Sequence, residues 1–164
     1  MRAFLIIWTT FAMAVIVASA RADQEPDNVI PVDFEAALEH AEEAYLVSID
    51  RPKESRGFEL PKLDEYVVLG QTKLSIEDRG RLAEELRLAV KDWEGAAAGC
   101  FKPRHRLRLI HHGATYEFVV CFECSNAELY KNGKIVSMLY LGQARKHSQP
   151  FNDILKVAKI KLAP

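Results

Sequence analysis

The chain has 164 residues, of which 49% are hydrophobic and 27% charged, and its net charge is −1. This balance excludes a disordered chain, which needs low hydrophobicity and a large net charge. It also lacks the basic excess that nucleic acid or an anionic membrane demands, so no nucleic-acid partner is expected.

The amino terminus reads as an export signal. Arg2 is followed by an uncharged apolar run from Ala3 to Val17, then by the small-residue sites Ala18-Ser19-Ala20 and Ala20-Arg21-Ala22. Those are the three parts of a secretory signal peptide. The run is short for a membrane span, which takes about 20 residues, so cleavage is favoured over a retained anchor. No cysteine follows it to carry a lipid. The expected organisation is a signal peptide over 1–22, with a cut after Ala20 as the weaker option. A flexible lead-in over 23–32 and one domain over 33–164 follow. Cleavage removes Arg2 and Arg21 but no acidic residue, which moves the net charge from −1 to −3. The expected location is therefore periplasmic or extracellular.

Past the lead-in, Asp33 reads as an N-cap before Phe34, Ala37, Leu38, Ala41 and Tyr45 at helical spacing. Residues 45–50 and 65–72 read as strands, separated by a loop over 51–62 that contains two prolines. Ser75 and Asp78 have capping-box spacing, and Leu82, Leu86, Ala89 and Trp93 form one apolar stripe ahead of Gly95. Residues 104–111 and 114–122 pair around His112-Gly113, and 127–131 and 134–141 around Asn132-Gly133, a strong hairpin signal. Pro150 is placed to open a last helix through Phe151, Ile154, Leu155 and Ala158. The order helix, two strands, helix, four strands, helix predicts an α+β domain, a mainly antiparallel sheet with helices on one face.

One constellation stands out. Cys100, Cys121 and Cys124 lie within 25 residues, with His105 among them. A two-residue turn at His112-Gly113 sets Leu107 against Phe118, Leu109 against Tyr116 and His105 against Val120 on the apolar face. Arg104, Arg106 and Arg108 then share the other face with Glu117 and Cys121, and Cys100 comes near Cys124. Three chemistries fit these residues. A disulfide from Cys100 to Cys121 or Cys124 suits an oxidising compartment and leaves one thiol over. A zinc site of Cys100, His105, Cys121 and Cys124 has suitable ligand spacing, but the inward register of His105 opposes it. A reactive thiol at Cys121 would draw on the arginines, although Cys-x-x-Cys here ends a strand instead of opening a helix. The arginine stripe itself reads as a solvated outer face, partly neutralised by Glu117, in preference to an anion-binding surface.

The other histidines point to less. His111 and His112 are expected to be exposed at a hairpin tip, His40 on the outer side of the first helix, and His147 in a polar loop before the last. There is no phosphate-cradling glycine loop, no G-x-S-x-G and no H-E-x-x-H, so no catalytic or cofactor-binding residue is assigned.

The stretch Cys100-Phe101-x-Pro103-Arg104-His105, followed by Cys121-Phe122-x-Cys124 and the ending Phe151 to Pro164, resembles a family of uncharacterised exported bacterial proteins. The resemblance covers roughly the last 65 residues; Arg106 stands where that family's pattern has glycine. It implies a shared cysteine cluster and no reaction. The expectation is a non-enzymatic exported domain that binds a protein or the cell envelope, with a cysteine-clipped hairpin and no cofactor. A zinc-binding or thiol-active protein is the alternative.

Overall fold

A computed structural model describes residues 28–52, 62–142 and 144–164. The expected signal peptide, half of the lead-in and most of the 51–62 loop lie outside the described residues. The elements follow the expected order: α1 (Val32–His40), β1 (Glu43–Asp50), β2 (Val67–Lys73), α2 (Ile76–Lys91), β3 (His105–His111), β4 (Ala114–Cys121), β5 (Asn126–Lys131), β6 (Lys134–Tyr140) and α3 (Ala144–Val157). The six strands form one antiparallel sheet in the order β2-β1-β3-β4-β5-β6. No described helix is long and apolar enough to cross a membrane.

The central register follows from turn chemistry. His112 and Gly113 have φ of 49° and 73°, and Asn132 and Gly133 have 50° and 75°. Positive φ at both central residues gives the turn whose twist matches that of the strands. Leu107 therefore pairs with Phe118, Leu109 with Tyr116 and His105 with Val120, as expected.

A row of large side chains crosses the sheet: Leu46, Leu107, Phe118 and Leu129 are successive cross-strand partners and all fully buried. Against this face pack Phe34 and Leu38 of α1, Leu82 and Leu86 of α2, and Phe151 and Leu155 of α3. Phe34 meets Tyr116 and Phe118 edge-on, with centroids 5.1 and 5.4 Å apart. Each such side chain contributes about 1.5–3 kcal/mol through burial, which makes this face the main core.

The opposite face departs from the solvated surface expected of it. Val47, Ile49, Val119, Cys121 and Tyr130 form a second core there, beneath Leu63, Tyr66 and Phe101. Arg106 is drawn into this layer. Its Nε donates to Glu117 Oε1 at 2.7 Å, its Nη2 donates to the same oxygen, and the Glu117 side chain is only 3% exposed. The ion pair is diagonal to the ladder, since the direct partner of Glu117 is Arg108.

Helix ends and helix content differ from expectation in places. The cap of α1 is Pro31, and Asp33 instead binds Lys131 at 2.8 Å. Asn28, placed in a flexible lead-in, is fastened. Its Nδ2 donates to Tyr140 O at 2.9 Å, and its Oδ1 accepts the Tyr140 N–H at 2.8 Å. Ser75 does cap α2, accepting the Asp78 N–H at 3.0 Å. That helix ends at Lys91, so Trp93 lies past it and stacks on Tyr140 at 4.8 Å. Helix α3 starts six residues before Pro150 and carries that proline inside. The early start is explained by His147, which is fully buried in α3, its ring nitrogens facing Glu85 and Asp92 of the α2 region. Tertiary contact outweighs the local helix-breaking signal here. At Gly142 the backbone N–H donates to Ala89 O at 2.7 Å, and an added Cβ would sit 1.9 Å from Asp92 O. Only glycine fits that approach.

Candidate functional site

The cysteine cluster resolves into a clip and a separate thiol. Cys100 and Cys124 stand at disulfide distance, with Cα atoms 5.7 Å apart. The pairing ties the segment before β3 to the 3-10 turn Phe122–Cys124 that ends β4. Around it, Ala98 N–H donates to Cys124 O at 3.1 Å, and Arg104 N–H donates to Val120 O at 3.2 Å. Pro103 interrupts the ladder without preventing this. Cys121 keeps its thiol, buried, with Sγ accepting the Lys102 N–H at 3.3 Å. Burial pushes that thiol's pKa up against the lowering effect of backbone hydrogen bonds from Lys102 and Cys124, with Arg104 contributing least. A raised pKa is the reverse of what a reactive cysteine needs.

His105 does not join the cysteines. As its register requires, its side chain lies on the helix-covered face, 4% exposed, with Nε2 on Asn152 Oδ1 of α3 at 2.9 Å. Phe122 and Phe151 pack on it edge-on at 5.6 and 5.5 Å. The four residues proposed as a zinc site are therefore divided: two thiols face each other, one accepts a backbone hydrogen bond, and the imidazole is across the sheet. A shared zinc needs all its ligand atoms within about 2.3 Å of one point.

His105 instead lines a cavity of about 240 Å³. Its floor is built by topology: Ser48 on β1 is the direct cross-strand partner of His105 on β3. Helix α3 supplies Asn152 and, one turn earlier, Ser148, while Phe122 forms a side wall. The carboxy-terminal tail closes the far side with Leu162 and Ala163. That tail is held by Ser48, whose hydroxyl donates to Lys161 O at 2.7 Å. Lys102, Arg104 and Glu123 also line the cavity, Arg104 pairing with Glu123 at 3.1 Å.

The Nδ1 of His105 is buried and has no hydrogen-bond partner among the described residues. Burial, opposed only in part by the Asn152 hydrogen bond, lowers the His105 pKa to about 4. The ring is thus neutral at pH 7 and offers one unused nitrogen. A neutral imidazole with so low a pKa is a poor general base, since an efficient one is poised near the working pH.

The chain matches no family model, no curated protein and no solved structure.

Of these lining residues, sequence reasoning singled out His105 and Arg104. Ser48 could not be found because β1 and β3 pair across 57 residues. Asn152 was hidden in a helix read only for its apolar stripe.

Proposed function

We propose that this is an exported, non-enzymatic binding domain, and that the cavity beneath α3 takes a small molecule carrying a carboxylate or phosphate group. The observation that carries the reading is the buried, unpartnered Nδ1 of His105 in a residue that lines this cavity. A buried polar atom without a partner costs about 1–3 kcal/mol. With Nε2–H given to Asn152 Oδ1, Nδ1 is an acceptor, which a ligand O–H such as that of a monoprotonated phosphate would satisfy, the ligand's charge being left to Lys102 and Arg104. Lys102 and Arg104 outnumber Glu123 among the charged lining residues, which favours an anion. The Cys100–Cys124 clip supports the same reading by fixing the segment that carries Lys102 and Arg104. Binding pockets commonly join apolar walls to a few fixed polar groups, and this one does.

The test uses acetate, succinate and inorganic phosphate as probes in isothermal titration and thermal unfolding of the mature chain. At least one should bind saturably and raise the Tm. Binding should weaken at least tenfold in Lys102→Glu/Arg104→Glu, on the order expected for losing charge-assisted hydrogen bonds, and should persist in the distant Lys134→Glu. Equal affinity in all three proteins, or no saturable binding, would sink the proposal.

A further inference from the structure

At the opposite end of β3 from His105, about 20 Å away at the usual rise per strand residue, a second group of side chains converges. His111 is the last residue of β3, His112 is the first turn residue after it, and Glu42 lies between α1 and β1. One ligand atom from each lies within 4.8 Å of the others. We propose that Glu42, His111 and His112 bind one divalent transition-metal ion of the zinc class, through two imidazole nitrogens and a carboxylate oxygen, with the fourth position open to solvent.

The spacing supports this directly. His111 Nδ1 is 3.6 Å from Glu42 Oε1, and His112 Nδ1 is 3.9 Å from the same oxygen. Ligands about 2.0–2.2 Å from a tetrahedral ion stand about 3.3–3.6 Å from one another. Small side-chain rotations close the difference. The backbone is already set for it. Glu42 N–H donates to Ile110 O at 2.9 Å, and both carboxylate oxygens lie 3.2 Å from the His112 N–H. That contact fixes the carboxylate against the hairpin tip.

A second observation is independent of the spacing. His111, expected at an exposed tip, is only 8% exposed, and its Nδ1 has no hydrogen-bond partner among the described residues. Buried imidazole nitrogens are normally satisfied. A metal ion at this point would satisfy the orphan. His112, with its side chain 84% exposed, leaves the site open to solvent. Imidazole donors select zinc, copper, nickel or cobalt over magnesium and calcium, which take oxygen ligands. His40 borders the site, its ring centroid 6.5 Å from that of His111.

The experiment titrates Zn²⁺ into the tag-free, chelator-treated full mature chain. Two variants accompany it. His112→Asn keeps the turn, because asparagine tolerates the left-handed backbone at that position, and Glu42→Gln keeps the shape of the carboxylate. The wild type should bind one Zn²⁺ per chain and gain Tm with it. Each variant, with unchanged far-ultraviolet circular dichroism, should bind at least about tenfold more weakly, no less than the loss of an outer-shell partner would give. Co²⁺ should give intense tetrahedral visible bands in the wild type and lose them in both variants. Wild-type affinity in both variants, or no saturable Zn²⁺ binding by the wild type, overturns the assignment.

Discussion

Arg106 and Glu117 show how one residue's surroundings reverse its ordinary reading. An arginine on the outer face of an antiparallel sheet normally costs little to remove. Here its partner carboxylate is almost wholly buried. Arg106→Ala would strand that charge, so we expect a loss of about 3 kcal/mol in urea unfolding. The double variant Arg106→Met/Glu117→Leu should recover most of it, because a buried pair replaced by apolar groups is often neutral. The strand register was legible from the His112-Gly113 turn, but the second core was not, since Phe101, Leu63 and Tyr66 reach it from loops with no periodicity. His105 provides a second residue-scale expectation. Its folded pKa of about 4 lies below the unfolded value near 6.5. The unfolded chain therefore binds the proton first. Its contribution is fully present above about pH 6.5 and is lost as pH falls toward about 4, a swing on the order of 3 kcal/mol. Unfolding measured between pH 7 and 4 should show this slope in the wild type, and His105→Gln should flatten it.

Among the elements, α3 and the clipped hairpin differ most in how readable they were. The hairpin announces itself through His112-Gly113 and a clean alternation. Helix α3 does not, because Pro150 is a strong local stop and the reason for overriding it is His147, buried against α2. Pro150 has no N–H to donate to the Lys146 carbonyl one turn back. We expect Pro150→Ala to raise stability on the order of 1–3 kcal/mol by calorimetry; a loss instead would mean that the ring is needed for packing. The clip joins residues 24 apart. In the chain-entropy picture a loop of that length is worth about 3 kcal/mol. Cys100→Ser/Cys124→Ser should lose about that much, and the wild type should present one thiol per chain to an aromatic disulfide reagent only after unfolding, because Cys121 is buried.

For the molecule as a whole, the element order and the single helix-covered face were legible, since each depends on local pattern and layer rules. The neighbours within the two hairpins were legible as well, but the place of β1 beside β3 was not. The insertion of β1 between β2 and β3 brings Ser48 beside His105, and no local signal encodes it. The same insertion gives the tail its anchor. Ile160 packs against Gly70 of β2, and Lys161 O receives the Ser48 hydroxyl. Ser48→Ala should cost about 1 kcal/mol and raise amide exchange in the tail more than in the central strands, as local opening would. Uniform exchange throughout would mean that the tail is held by its apolar contacts alone.

The clip also bears on fidelity. A strand pair that slips by one residue sends every inward side chain outward. Between β3 and β4 such a slip would turn over one strand of the pair, putting either Arg106 among the helices and Leu107 beneath the loops, or Glu117 and Phe118 in those places. Cys100 and Cys124 bracket both strands, so their bond holds the open ends of the hairpin in step while the paired left-handed residues at His112-Gly113 set the closed end. The hairpin is thus indexed at both ends.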